Sequence, residues 1–182
     1  MDFQFNKDAF FYIRHGVTEF NLAERVMGRL DIPLHEDGRL QAEQVAQSLV
    51  GGPIRSIWSS PLSRALETAK IIGSALQLEV QELPGLMERD WGVFQGRPRS
   101  EREVNADPAE GESWVEFKGR VLTAMAAVTG PSPVLIVAHN GIRHVLMEHF
   151  GLADRNYQLP HGVVFQFFCS EDQRWQVSPQ QK

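Results

Sequence analysis

Apolar residues fall along the chain in two alternating rhythms. Short continuous runs, AFFYI at 9–13 and PVLIVA at 133–138, read as buried strands. Between such runs, apolar positions recur every three or four residues, as on one face of a helix. Leu40, Ala42, Val45, Ala46 and Leu49 predict a helix over residues 37–50, and Ile54 to Ser59 a second strand. Leu62, Ala65, Ala69, Ile72 and Leu76 predict a second helix, opened by Ser60-Pro61, because serine caps free N–H groups and proline loses nothing at a first helical position. A short strand is expected at 78–82. Trp114, Phe117, Val121, Ala124, Met125 and Val128 mark a further helix, and Ile142, Val145, Leu146 and His149 another. VVFQFF and RWQV predict a closing pair of strands. Strands alternating with helices imply an α/β fold, a three-layer α/β/α sandwich around a mainly parallel sheet. The stretch from Pro84 to Gly111 breaks the rhythm, and a loop of that length implies a function or an unrecognised helix.

Composition narrows the picture. A chain of 182 residues, 42% hydrophobic, is enough for one sizeable core, so a single domain over 1–182 is expected, as a monomer or homodimer. The net charge of -5 provides no global basic field for nucleic acid, so any bound anion must be held by local charge. Cys169 is the only cysteine and excludes an intramolecular disulfide. The opening MDFQFNKDAFFYI carries Asp2 and Asp8 and no basic leader, and no apolar run reaches the roughly 20 residues that span a bilayer. A cytoplasmic protein without membrane contact is the expectation.

The chemistry begins where strands end. In parallel α/β sheets, ligands bind outside the carboxyl ends of the strands. Two predicted strands stop at RHG and AHNG, which brings His15 and His139 to one edge. Arg64, in the first turn of the helix after the second strand, arrives at the same edge, and Arg14 adjoins His15. Guanidinium groups pair bidentately with phosphate oxygens, and helix N-termini add backbone donors, so a phosphoryl-binding pocket is implied. Gly16 is expected to let the backbone turn closely around the anion.

The ordered motifs RHGVTEFN, SSPLSRALETA, LMERDWGVFQG, GESW and VAHNG resemble the histidine phosphatase superfamily, in the branch of cofactor-dependent phosphoglycerate mutases and their phosphatase relatives. The likeness runs from about residue 10 to beyond 140. It implies that His15 is the nucleophile of a phosphohistidine intermediate, with Arg14, Arg64 and His139 around the transferring group. It also implies that Glu88 is the general acid, and that Asn21 and the backbone near Gly28 contact phosphate. Thr18 and Asn140 complete the expected substrate contacts. No metal and no cofactor enter this scheme, and the partner is a small phosphate ester.

Other readings of these residues stand beside this one. Arg64 is at the right spacing to pair with Glu67, and Thr18 and Asn21 suit a turn or helix cap. Arg97, Arg99 and Arg102 offer charge for a carboxylate or second phosphate, but Glu101, Glu103, Asp107 and Glu110 dilute it. His144 and His149 follow His139 at intervals of five, a poor spacing for zinc. His35 and His161 read as loop residues, with His161 at the pocket rim, and Cys169 as a buried strand residue. Met27 stands where relatives carry a polar residue, and HNG replaces the commoner HGG or HGN. The compact segment after Glu88 and the GES motif favour a phosphomonoesterase. A phosphoglycerate mutase and a phosphate-binding module without turnover are the alternatives.

Overall fold

Phe10 and Tyr12 face one side of the first strand and Phe11 and Ile13 the other, and all four are buried, so this strand must be covered on both faces. The computed structural model describes residues 9–103, 107–152 and 160–180. Asp2 and Asp8 of the opening segment, and 104–106 within the charged stretch after Glu88, lie outside them. Strand β1 (Ala9–Arg14) pairs in parallel with β4 (Val134–Ala138), which pairs in parallel with β2 (Ser56–Ser59), and β2 with β3 (Val80–Glu82). On its other side β1 meets β5 (Val164–Cys169) antiparallel, and β6 (Trp175–Pro179) closes that edge. The sheet order is β3-β2-β4-β1-β5-β6.

Two helical layers follow from the alternation along β1 and β4. Helices α2 (Glu36–Leu49) and α3 (Ser63–Leu76) cover Phe11, Ile13, Leu135 and Val137 through Val45, Leu49, Ala69 and Ile72. Helices α4 (Trp114–Ala127) and α5 (Asn140–His149) cover Phe10, Tyr12 and Ile136 through Phe117, Val121, Met125 and Val145. A four-residue helix, α1 (Glu19–Leu22), lies in the connection after β1. Among the described residues, no helix is long and apolar enough to cross a membrane.

Three expectations are corrected. Helix α3 begins at Ser63 rather than at Ser60-Pro61: its N-cap is Leu62, Ser60 Oγ accepts from Leu62 N at 3.3 Å, and the Asp31 carboxylate accepts from Ser63 N at 2.7 Å. His35 is not a plain loop residue but the N-cap of α2, its Nδ1 accepting from Asp37 N at 3.2 Å. Cys169 lies in β5 as expected but is half-buried, because β5 is near the sheet edge. The stretch from Pro84 to Gly111 holds three single-turn 3₁₀ helices, Pro84–Leu86, Gly92–Phe94 and Arg99–Glu101. Ser113 and Glu116 then open α4 with a reciprocal capping box.

Candidate active site

Parallel register sets the geometry of the site. Arg14 lies opposite Ala138, so the residues that follow, His15 and His139, leave the sheet together, with ring centroids 5.2 Å apart. His15 N donates to Ala138 O at 3.0 Å and Ser60 N to Val137 O at 3.1 Å, which continues the ladder past the strand ends and seats Ser60 beside His139. His139 Nε2 lies 2.8 Å from Ser60 Oγ, and its buried Nδ1 has no partner among the described residues. The Tyr12 hydroxyl donates to the His139 carbonyl.

The tautomer of His15 is fixed by its neighbour. Its Nδ1 lies 2.7 Å from the Gly16 carbonyl, which can only accept, so Nδ1 carries the proton and Nε2 keeps its lone pair. Burial first, then the charges of Arg64, His139 and Arg14, push the His15 pKa well below the ordinary 6.5. His139 is lowered in the same way by burial, Arg64 and Arg14. His161 donates from Nδ1 to the His15 carbonyl at 2.6 Å, and burial followed by Arg14 lowers its pKa to about 4. The expected rim residue is therefore packed against His15, with the two rings 5.5 Å apart.

Gly16 has a different reason from the one expected. A Cβ there would lie 2.4 Å from Gly38 O, so the residue is glycine because the first turn of α2 packs directly against the loop after β1. Its N–H donates to Thr68 Oγ1 at 3.1 Å.

Arg64 is fully buried in the first turn of α3. Its terminal nitrogens donate to Leu30 O and Gly28 O, each at 2.8 Å, while its buried Nε has no partner among the described residues. It does not pair with Glu67, which binds Arg39 instead. Burial lowers the pKa values of both Arg14 and Arg64 to about 10, with Glu88 opposing the shift in each case, so both remain cations near neutrality. Arg14, His15, Arg64, Glu88 and Asn140 all line one cavity of about 510 Å³. Gly28 and Met27 line it too; Thr18 and Asn21 do not.

Thr18 and Asn21 form the cap of α1. Asn21 Oδ1 accepts from Thr18 N at 3.1 Å and lies 3.0 Å from the Thr18 hydroxyl, which is also 3.2 Å from Met27 Sδ. That network orients the Asn21 amide so that its Nδ2, buried and without a partner among the described residues, remains as a donor. Thr18 spends its hydroxyl inside the fold. Glu88 Oε1 accepts from Arg89 N at 2.8 Å, and Oε2 from Gly141 N at 3.1 Å in the first turn of α5. A Cβ at Gly141 would lie 2.1 Å from Glu88 Oε1, so a side chain there would displace the Glu88 carboxylate from this position. Of the four arginines that follow Glu88, Arg89, Arg99 and Arg102 line the cavity and Arg97 does not; Arg102 lies over the Trp91 ring at 4.3 Å. Among the described residues, no group of three or more His, Cys, Asp or Glu side chains is placed to hold a metal ion.

A family model described as the histidine phosphatase superfamily (branch 1) matches residues 10–161. The chain belongs to the histidine phosphatase superfamily. It is 35% identical over 153 residues, 80% of this chain and 79% of the relative, to a protein of Bacillus subtilis (strain 168) named uncharacterized phosphatase PhoE. It is 35% identical over 146 residues, 71% of this chain and 68% of the relative, to the probable phosphoglycerate mutase GpmB of Proteus mirabilis (strain HI4320). Among solved structures, a mycobacterial glucosyl-3-phosphoglycerate phosphatase complexed with VO3 superposes with a TM-score of 0.77 at 26% identity, covering 94% of this chain and 97% of that one. A protein named mycobacterial hydrolase 1 superposes at 0.80 with 27% identity, covering 94% and 96%.

This histidine phosphatase also relies on residues that its sequence did not single out. Arg120 of α4 donates to the carbonyls of Gly85, Met87 and Glu88 and grips both carboxylate oxygens of Glu112 at 2.8 Å. It holds the main chain that carries Glu88. Burial raises the Glu112 pKa, but the hydrogen bonds and charge of Arg120, with Arg29, outweigh it and leave the group lowered. Ser60, Thr68 and Tyr12 likewise act through single hydroxyls, and a lone hydroxyl leaves no periodic trace in sequence.

Proposed function

We propose that the chain is a phosphomonoesterase in which His15 attacks the phosphorus of a small phosphate ester. The observation that carries this reading is the Nδ1–H to Gly16 bond, which supports Nε2 as an unprotonated nucleophile beside Arg14 and Arg64. In the first step the Nε2–P bond forms and the ester P–O bond breaks, and the Glu88 carboxyl gives its proton to the leaving oxygen. In the second, water attacks the phosphohistidine, Glu88 takes its proton, and inorganic phosphate leaves. Arg14 and the Nε of Arg64 neutralise and bind the equatorial oxygens from the cavity wall, with the His139 ring packed beside that of His15. Side chains alone carry that charge, so activity is expected to survive EDTA; a loss restored by a divalent metal would refute metal independence.

Phosphate release from p-nitrophenyl phosphate, with a trapped phosphoenzyme that is acid-labile and base-stable, tests the proposal. His15→Ala should lower turnover by at least about 10³-fold, because the covalent route disappears. Normal turnover by that variant would sink the nucleophile assignment. The mutase reading is favoured by the likeness to GpmB and by Arg99 and Arg102 on the cavity wall. It requires interconversion of phosphoglycerates with a bisphosphate primer, and a coupled assay showing none removes it. A phosphate-binding module, suggested by the thioether of Met27, would bind phosphate without forming any phosphohistidine.

A further inference from the structure

Both terminal nitrogens of Arg64 are spent on one short turn. They donate to Leu30 O and Gly28 O, so where the turn holds those two carbonyls decides how the guanidinium lies against the cavity it lines. Leu30 N donates to Met27 O at 3.0 Å and closes a four-residue turn over 27–30, with Gly28 in its second position at a φ of 53°. A positive φ at that position belongs to turns of types I′ and II′, which differ by a rotation of the central peptide. Here that peptide is Gly28 C=O with Arg29 N–H, and glycine lets it rotate at little steric cost. One orientation aims the Gly28 carbonyl at Arg64. The other turns it away.

A side chain from another loop decides between them. Gln95 Oε1 accepts from Arg29 N at 2.5 Å. A peptide unit is planar, with its C=O and N–H on opposite sides, so an acceptor on the N–H pins the carbonyl at the far side. Gln95 is itself anchored: its N–H donates to Gly92 O at 3.1 Å, and beside it Gly96 N donates to Val26 O at 2.8 Å while Val26 N donates to Arg97 O at 2.9 Å. Its amide packs on the turn, since a Cβ at Gly28 would strike Gln95 Oε1. Gln95 is half-buried and is not one of the residues that line the cavity, so it reaches a bound anion only through the turn. We infer that Gln95 is a positioning residue: its amide oxygen locks the Gly28–Arg29 peptide, and that peptide holds the Arg64 guanidinium with Nε left for a phosphate oxygen. The inference rests on the reading of this cavity as a phosphoryl site and adds the residue that keeps its buried cation in place.

The test removes the oxygen and then restores it. Gln95→Leu has no acceptor and should lower kcat/KM for p-nitrophenyl phosphate by about tenfold or more, because displacements of about 1 Å in a positioning contact cost up to about 10²-fold. Inorganic phosphate, titrated calorimetrically, should bind this variant about fivefold or more weakly than wild type. Gln95→Glu returns an oxygen at the same reach and should recover both values to within about threefold. In an Arg64→Lys background, where no guanidinium remains to be aimed, Gln95→Leu should change kcat/KM by less than about twofold. Wild-type values in Gln95→Leu, no recovery in Gln95→Glu, or an equal loss in both backgrounds overturns the inference. Gln95→Ala repeats the measurement if Gln95→Leu does not fold, and failure of both to fold marks a structural residue and overturns it too. If the wild type turns over no ester, the hydrolase reading falls by itself. The phosphate titrations then decide, equal affinities of wild type and Gln95→Leu overturning the positioning role.

Discussion

The proposed nucleophile depends on a proton that its neighbours keep away. In that role His15 must attack as neutral imidazole, and burial, Arg64, His139, Arg14 and His161 all disfavour its charged form. A lowered pKa keeps Nε2 available as pH falls. The acid limb of kcat/KM assigned to His15 should therefore lie below pH 6.5, with activity on p-nitrophenyl phosphate retained at pH 5.5. A limb at 6.5 or above would show that the imidazole is not held neutral by its surroundings. That His15 and His139 meet at one sheet edge was legible in RHG and AHNG, because each follows an apolar run. The tautomer was not legible, since it is set by a backbone carbonyl that every residue possesses. Gly16 also misled: its lack of a side chain serves the approach of Gly38, a contact across 22 positions of sequence.

Among the elements, the 3₁₀-rich stretch from Pro84 to Gly111 is the one that sequence pattern described least. It is held from outside by Arg120, whose five hydrogen bonds reach Gly85, Met87, Glu88 and Glu112. Arg120→Ala should cost about 2–4 kcal/mol in urea unfolding, since it strands buried carbonyls and the Glu112 carboxylate. It should also lower kcat by about tenfold or more by letting Glu88 drift, with a smaller effect on KM. Lost stability with an unchanged kcat would show that Glu88 is positioned without the clamp. The apolar stripe of Trp114, Phe117 and Val121 revealed α4, but Arg120 sits beside that stripe and its partners are main-chain carbonyls. Helix α3 shows the same limit: Ser60-Pro61 reads as its start, yet the helix begins at Ser63 with Asp31 on its first N–H, and Ser60 Oγ meets both Leu62 N and His139.

For the whole molecule, three imidazoles held in the neutral form, His15 and His139 buried and His161 half-buried, tie stability to pH. His15, His139 and His161 have folded pKa values below the ordinary 6.5, so below that pH the unfolded chain binds more protons. Their stabilising effect is intact above about pH 6.5 and is lost as pH falls, for His161 until about pH 4. His161→Asn keeps a donor for the His15 carbonyl but removes the titrating ring. The loss of unfolding free energy between pH 7 and pH 5 should be smaller in this variant by about 2 kcal/mol. Equal losses in variant and wild type would show that His161 titrates alike folded and unfolded. The sequence by itself determined the alternation of elements, the two-sided burial of β1 and β4, and the histidines and arginines delivered to one edge, because those follow from local periodicity and from where apolar runs stop. Tertiary structure alone decided which nitrogen of His15 is bare, why Gly16 lacks a side chain, and what grips Glu88. Each of those is a contact between backbone groups or lone side chains far apart in the chain, and such contacts exist only once the layers have packed.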